Sequence, residues 1–182
     1  LAMQELGYEV TGVDSSAQMI ELAKEKVEGE TGETSAPSFC CGRMEKYKCK
    51  GKSDAIICLF FSLCYQTTEE LILQSLTRFK EQLDNEGVLI FDFWHKDGVL
   101  SQKPELKIQR YRAENIEITK LVEPTMEVSA DCVGINYTFY VENEKGDISK
   151  FKEFHKVRYL NPELLVKYLR KLSFKVELIE GW

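Results

Sequence analysis

Two uninterrupted apolar runs, DAIICLFFSL from Asp54 and VLIFDF from Val88, constrain this chain more than any other feature. Both are rich in β-branched and aromatic residues and lack the polar alternation of a half-wet strand. Such runs mark strands buried on both faces. Between them Thr67 and Glu70 stand at capping-box spacing, and Ile72, Leu76, Phe79 and Leu83 recur as one helical stripe that ends at Asn85-Glu86-Gly87. A strand, a helix and a second buried strand predict a crossover, hence a parallel sheet with helices on its faces.

The same rhythm precedes this unit. LAMQEL reads as a helix stopped by Gly7, and GYEVTGVDSS reads as a strand that ends on Asp14 and turns into a helix. Ser15 and Gln18 have capping-box spacing, and Met19, Ala23 and Val27 share a face. The carboxylate of Asp14 has two readings here, a helix cap or a ligand for the vicinal hydroxyls of a ribose, which need paired acceptors. A Gly/Thr/Ser-rich turn over residues 28–37 leads to a short strand, SFCCG, and a polar hairpin-like stretch to Ser53. This pattern predicts a chain that opens partway through a crossover helix, with any strand before it missing.

From Pro104 the pattern changes. KIQRYRA, NIEITKLVE, EVSADCVGINYTFYVE and SKFKEFHKVRYL alternate polar and apolar residues, with Glu144-Lys145-Gly146-Asp147 as one turn between them. They predict an antiparallel β-meander, an insert over 101–160 within a single domain spanning 1–182. Asn161-Pro162-Glu163 opens a helix with a cap and a first-turn proline, and Leu165, Tyr168, Leu169 and Leu172 form its buried side. Phe174 to Ile179 predicts a last antiparallel strand, with a hairpin partner expected where the chain reaches Gly181-Trp182.

Composition narrows the function. A net charge of −6 without a basic block argues against wrapping nucleic acid and for a small or neutral partner. No apolar run is long enough to span a membrane, and the start lacks the plan of a secretory signal, so the expectation is a cytoplasmic protein. The six cysteines form no C-x-x-C pair, which predicts reduced thiols and no metal site.

In open parallel sheets ligands bind beyond the carboxyl ends of the strands. Four such ends are Asp14-Ser15-Ser16, Cys41-Gly42-Arg43-Met44-Glu45, Phe60 through Gln66, and Asp92-Phe93-Trp94-His95. Singly, Gly42 is readable as a turn, Met44 as core filler, Phe60, Phe61 and Tyr65 as core or lid, and His155 as a structural histidine. Trp94 fits a pocket wall, since a large aromatic stands directly after a buried strand. No Ser/His/Asp order or acid pair supports hydrolysis.

In order and spacing GVDSSAQM, CCGRMEKY, DAIICLFFSLCYQTTEEL, EGVLIFDFW and KEFHKVRYLNPELLVKYLRKLSFKVELIEG resemble class I S-adenosylmethionine-dependent methyltransferases, the nearest branch being amino-sugar N,N-dimethyltransferases, with glycine N-methyltransferase-like enzymes more distant. The resemblance implies an α/β, Rossmann-like methyltransferase fold, a mostly parallel sheet carrying the meander and a C-terminal antiparallel strand. It also implies S-adenosylmethionine as cofactor. Asp14 and the following Ser15 match the ribose end, Met19 the adenine side, Gly42, Arg43 and Met44 the segment around adenine, and Phe60, Phe61 and Ser62 the segment passing the methionine moiety. Arg43 departs from the acid usual at its position and could only stack on the ring. Trp94 and Tyr65 match residues facing the acceptor. Tyr65, His95 and His155 are candidates to accept the proton of an amine or hold its lone pair in line.

By the same resemblance the first strand and its Gly-rich loop are absent from this sequence. The implied reaction is methylation of a small molecule, an amine such as an amino sugar or amino acid, by in-line displacement, with O-methylation open. A non-catalytic methyltransferase-like binding module and a nicotinamide-binding Rossmann domain are the rival readings. A homodimer is left open.

Overall fold

The computed structural model describes residues 2–28, 36–113 and 115–179. The turn expected over 28–37 and the chain end at Gly181-Trp182 fall largely or wholly outside these residues. Helix α1 (Ala2–Glu5) ends at Gly7, whose φ of +86° is the left-handed turn a glycine adopts without Cβ strain, with its N–H donating to Gln4 O. Strand β1 (Thr11–Asp14), helix α2 (Ala17–Glu28) and strand β2 (Ser38–Cys41) form a crossover unit in which β1 and β2 pair in parallel. Strand β3 (Ser53–Cys58), helix α3 (Glu69–Gln82) and strand β4 (Leu83–Phe91) form a second one, also parallel. Helix α4 (Lys96–Ser101) leads into the meander β5 (Lys107–Ala113), β6 (Ile116–Glu127), β7 (Cys132–Asn143) and β8 (Ile148–Arg158), a four-stranded antiparallel sheet in sequence order, and helix α5 (Pro162–Lys171) follows.

Several expectations need correction. The parallel strands do not form one sheet: β1–β2 and β3–β4 are separate two-stranded sheets, and neither β1 nor β3 has a second ladder partner among the described residues. Nor are these strands buried on both faces. Ile57 is 49% exposed, Val88 53% and Ile90 48%, because α3 covers one side of β3–β4 and no described element covers the other. The last strand does not form. Phe174 and Val176 rest against the core, but among the described residues 174–179 joins neither two-stranded sheet, and alternation alone does not make a ladder.

Helix starts shift by one residue. Thr68, not Thr67, caps α3 by accepting from Leu71 N, and Ser16, not Ser15, caps α2 by accepting from Met19 N at 3.3 Å. On α2 the buried residues are Ile20 and Val27, while Met19 is 54% exposed. Strand β4 begins at Leu83, so Asn85-Glu86-Gly87 belongs to the strand and not to a helix end. Gly87 permits this, because a Cβ there would lie 3.0 Å from Ser53 O, across the register shift between β3 and β4.

The core gathers where the second crossover unit meets the base of the meander. Leu63, Cys64, Ile72, Leu76, Phe79, Val133, Ile135, Val157, Tyr159, Leu160, Leu165, Tyr168 and Leu169 are all buried in one cluster. Asn161 caps α5 by accepting from Leu164 N, with Pro162 in the first turn, as the sequence predicts. Tyr159 is buried with its hydroxyl unpartnered among the described residues, and burial pushes the phenol's pKa upward. An unpaired buried hydroxyl costs about 1–3 kcal/mol, so Tyr159→Phe is expected to raise the urea midpoint, by about 1 kcal/mol in unfolding free energy.

Candidate functional site

Strand β1 delivers Asp14 to its carboxyl end, where the chain turns into α2. Asp14 Oδ1 accepts from Ser16 N at 2.7 Å, so the carboxylate does cap the turn, and Oδ2 has no partner among the described residues in the exposed rim. Both readings of Asp14 thus coexist in one carboxylate. Ser15 gives its carbonyl to the Cys41 thiol at 3.6 Å, and Gly42 N donates to Asp14 O at 2.8 Å, tying the ends of β1 and β2 together. Met44 is half-buried against the core, and Met19 is exposed on α2.

Arg43 is occupied. Its Nε donates to the buried carboxylate of Glu45, and Gln66 Nε2 lies 3.5 Å from the other oxygen. Burial would raise the Glu45 carboxyl, but its backbone hydrogen bond and the Arg43 guanidinium outweigh that and hold it below the usual carboxylate range. An open groove of about 670 Å³ lined by Glu45, Glu69, Glu70, Leu73, Gln74, Thr77 and Arg78 runs along α3, bordered by none of the predicted site residues.

After β3 the backbone does something unusual for bulky residues. Phe60 and Phe61 adopt left-handed φ of 56° and 60°. For non-glycine residues this costs on the order of 1–2 kcal/mol each, and such strain gathers at functional sites. Asp92, just past β4, holds the turn: Phe61 N donates to Oδ1 at 2.7 Å and Phe60 N to Oδ2 at 3.1 Å. Phe60 is 87% exposed, whereas the Phe61 ring meets Trp94 edge-on at 6.0 Å. Ser62 Oγ donates to Leu59 O and opens a 3-10 turn, Ser62–Tyr65, whose Leu63 and Cys64 anchor in the core. Trp94 N donates to Cys64 Sγ at 3.3 Å, locking the two strand ends together. Burial pushes the Cys64 thiol to about 12 and the Cys58 thiol to about 11, so both are structural groups and not nucleophiles.

The 3-10 turn aims Tyr65 at the meander. Its hydroxyl lies 2.8 Å from His155 Nδ1, and His155 Nε2 lies 3.3 Å from Glu153 Oε2. Tyr137 meets the His155 ring edge-on at 5.0 Å, and Lys120 Nζ sits 4.1 Å above the Tyr137 ring. Burial, with Tyr137 and Glu153 nearby, pushes the Tyr65 phenol upward, so at neutral pH it stays protonated.

The structure therefore brings Tyr65 and His155 together, and Phe61 with Trp94. His95 is placed differently: its Nδ1 accepts from Gly98 N at 3.4 Å as the cap of α4, with the ring stacked on Phe93. Sequence reasoning missed roles for Asp92, Tyr137 and Glu153. Asp92 carried the same signal as Asp14, an acid directly after an apolar strand. Glu153 precedes His155 by two in an alternating strand, which puts both on one face. Tyr137 became a neighbour only through the β7–β8 register. Among the described residues no cluster of His, Cys, Asp or Glu could hold a metal ion, and no helix is long and apolar enough to cross a membrane.

Residues 1–87 match a family model described as "Methyltransferase domain". No curated protein matches the sequence at a significant level. Among solved structures, a S-adenosylmethionine-dependent methyltransferase from Clostridium acetobutylicum superposes with a TM-score of 0.75 at 23% identity, over 91% of this chain and 63% of that one. DesVI from Streptomyces venezuelae gives 0.79 at 16% identity, over 94% and 68%. CalS10, an amino pentose methyltransferase from Micromonospora echinaspora solved with S-adenosylmethionine bound, gives 0.76 at 17% identity, over 96% and 69%. The chain thus spans less than seven-tenths of each of these relatives. Its architecture is the Rossmann-like fold of the S-adenosylmethionine-dependent methyltransferases.

Proposed function

We propose that the protein is a S-adenosylmethionine-dependent methyltransferase that N-methylates a small amine, such as an amino sugar or amino-acid-like compound. One observation carries this reading: the strained Phe60–Phe61 turn at the strand rim runs directly into Tyr65, hydrogen-bonded to His155 of the meander. The residues fit the cofactor at its ribose end, where Asp14 keeps a carboxylate oxygen without a partner among the described residues in the exposed rim. Met44 and Met19 would stand on the adenine side, while Arg43, fastened to Glu45, departs from the family pattern. Phe60, Phe61 and Ser62 would border the methionine moiety.

When bound, S-adenosylmethionine supplies a methyl group on a sulfonium leaving group. The chain's own task is then alignment and dryness, which is enough when effective molarities reach about 10⁵ M or more. Phe61 and Trp94 exclude water on one side, and Tyr137 with the meander forms the acceptor wall. Tyr65 and His155 hold the amine and take its proton. A non-catalytic binding module is the second reading, favoured by the engagement of Arg43 with Glu45.

Thermal shift on the full-length protein tests the proposal. S-adenosylmethionine or its demethylated product at a hundredfold over Kd is expected to stabilise by about 2.7 kcal/mol, and Asp14→Ala is expected to remove most of that gain. Stabilisation by NADH and not by either sulfur compound would overturn it. Binding without methyl transfer to any amine would favour the non-catalytic module.

A further inference from the structure

The hydrogen-bond chain from Tyr65 through His155 to Glu153 has a direction that its chemistry dictates. An ionised carboxylate only accepts, so the His155 nitrogen facing Glu153, Nε2, must carry the proton in the neutral ring. Nδ1 is then the acceptor and takes the Tyr65 hydroxyl proton. With its proton turned inward, the Tyr65 oxygen offers its lone pairs outward. Without Glu153 either tautomer is open to the ring, and an Nδ1–H would donate to Tyr65 and turn the phenol proton toward the acceptor instead.

We infer that Glu153 is a positioning residue that sets the polarity of this chain, so that Tyr65 meets the methyl acceptor as a hydrogen-bond acceptor and selects substrates bearing an N–H. The inference rests on the methyltransferase reading and deepens it. As the new C–N bond forms, the S–CH3 bond of the sulfonium donor would break with its electron pair left on the thioether sulfur, and the N–H proton of the resulting ammonium passes to the Tyr65 oxygen while the phenol proton passes to His155 Nδ1. The phenol is regenerated, and the imidazolium stands beside the Glu153 carboxylate, which stabilises its charge. The high position of the Tyr65 phenol agrees with this order, since a phenolate never has to accumulate. Glu153 is mostly exposed and His155 partly so, which lets the proton leave to solvent.

The test reads the tautomer directly. With only two histidines in the sequence, long-range ¹H–¹⁵N correlation on the full chain resolves His155 once His95→Gln assigns the other ring. Wild type is expected to show His155 protonated on Nε2, Glu153→Ala to populate Nδ1–H, and Glu153→Gln, which keeps an acceptor oxygen, to restore the Nε2–H form. Amine methylation is expected to fall about 10-fold in kcat in Glu153→Ala with little change in KM, and to recover in Glu153→Gln. An Nδ1–H ring in wild type, or a tautomer unmoved by Glu153→Ala, would overturn the inference. If the tautomer shifts as stated but no variant or wild type methylates an amine, the polarity stands and the methyltransferase reading falls.

Discussion

Replacing Asp92 by alanine is expected to lower kcat/KM for methyl transfer by about 100-fold and unfolding free energy by about 2–3 kcal/mol. The carboxylate accepts from two consecutive backbone N–H groups, of Phe60 and Phe61, across the gap between the ends of β3 and β4. Hydrogen bonds to a charged acceptor contribute about 1.5–3 kcal/mol each, and part exposure of Asp92 sets the sum at the low end. They hold two phenylalanines in the left-handed region, a conformation each would leave if released. Once the turn relaxes, Phe61 loses its edge contact with Trp94 and Tyr65 shifts relative to His155. A displacement of about 1 Å in such a site is enough for a hundredfold loss. Asp92→Asn retains one acceptor oxygen and is expected to fall between. Urea denaturation and steady-state methylation check both halves. An unchanged denaturation midpoint in Asp92→Ala would mean that the turn is held by something else.

The largest effect on stability is expected at Leu76. Its side chain is fully buried on α3, in the cluster that joins this helix to Val133 and Val157 of the meander and Leu165 and Leu169 of α5. Leu76→Ala removes three buried carbons and leaves a cavity, a change that costs about 2–5 kcal/mol. Against a typical domain stability of about 5–15 kcal/mol, this is a large share. Met19→Ala, on the exposed face of α2, is the control and is expected to stay within about 0.5 kcal/mol of wild type. Equal losses in the two variants, measured by far-UV circular dichroism in urea, would contradict the placement of the core.

What the sequence disclosed follows from which signals are local. On α3, Ile72, Leu76 and Phe79 are buried as their spacing demands, while Leu83, read as the end of the same stripe, is buried as the first residue of β4; Asn161-Pro162 caps α5, and KIQRYRA is β5 residue for residue. Caps slipped by one at Ser15 and Thr67 because a second hydroxyl residue stands beside each, and spacing cannot choose between neighbours with the same chemistry. The apolar run around Ile57 showed what a strand can bury, not what covers it. FKVELI alternates like a strand but pairs with no described strand. At the site, Tyr65 and His155 were separately legible, yet their hydrogen bond closes over 90 residues of chain. The packing of the Ser62–Tyr65 turn against β8 makes them partners, and the β7–β8 register, which sets His155 opposite Ile135 and Glu153 opposite Tyr137, adds the Tyr137 ring beside them.

The division of the parallel strands into two separate pairs has a thermodynamic consequence. Residues 2–27 and 36–43 contribute no side chain to the main core, and the β1–α2–β2 unit buries chiefly Ile20 and Val27 of its own. Such a unit is expected to open at a lower free energy than the main core, with faster amide hydrogen exchange in α2 than in α3 as the measurement that checks it. Asp14 rides on this unit and Tyr65 on the turn anchored in the main core. A ligand spanning both would spend part of its binding free energy on quieting the first, so its measured affinity would report the order of α2 as much as the strength of its contacts.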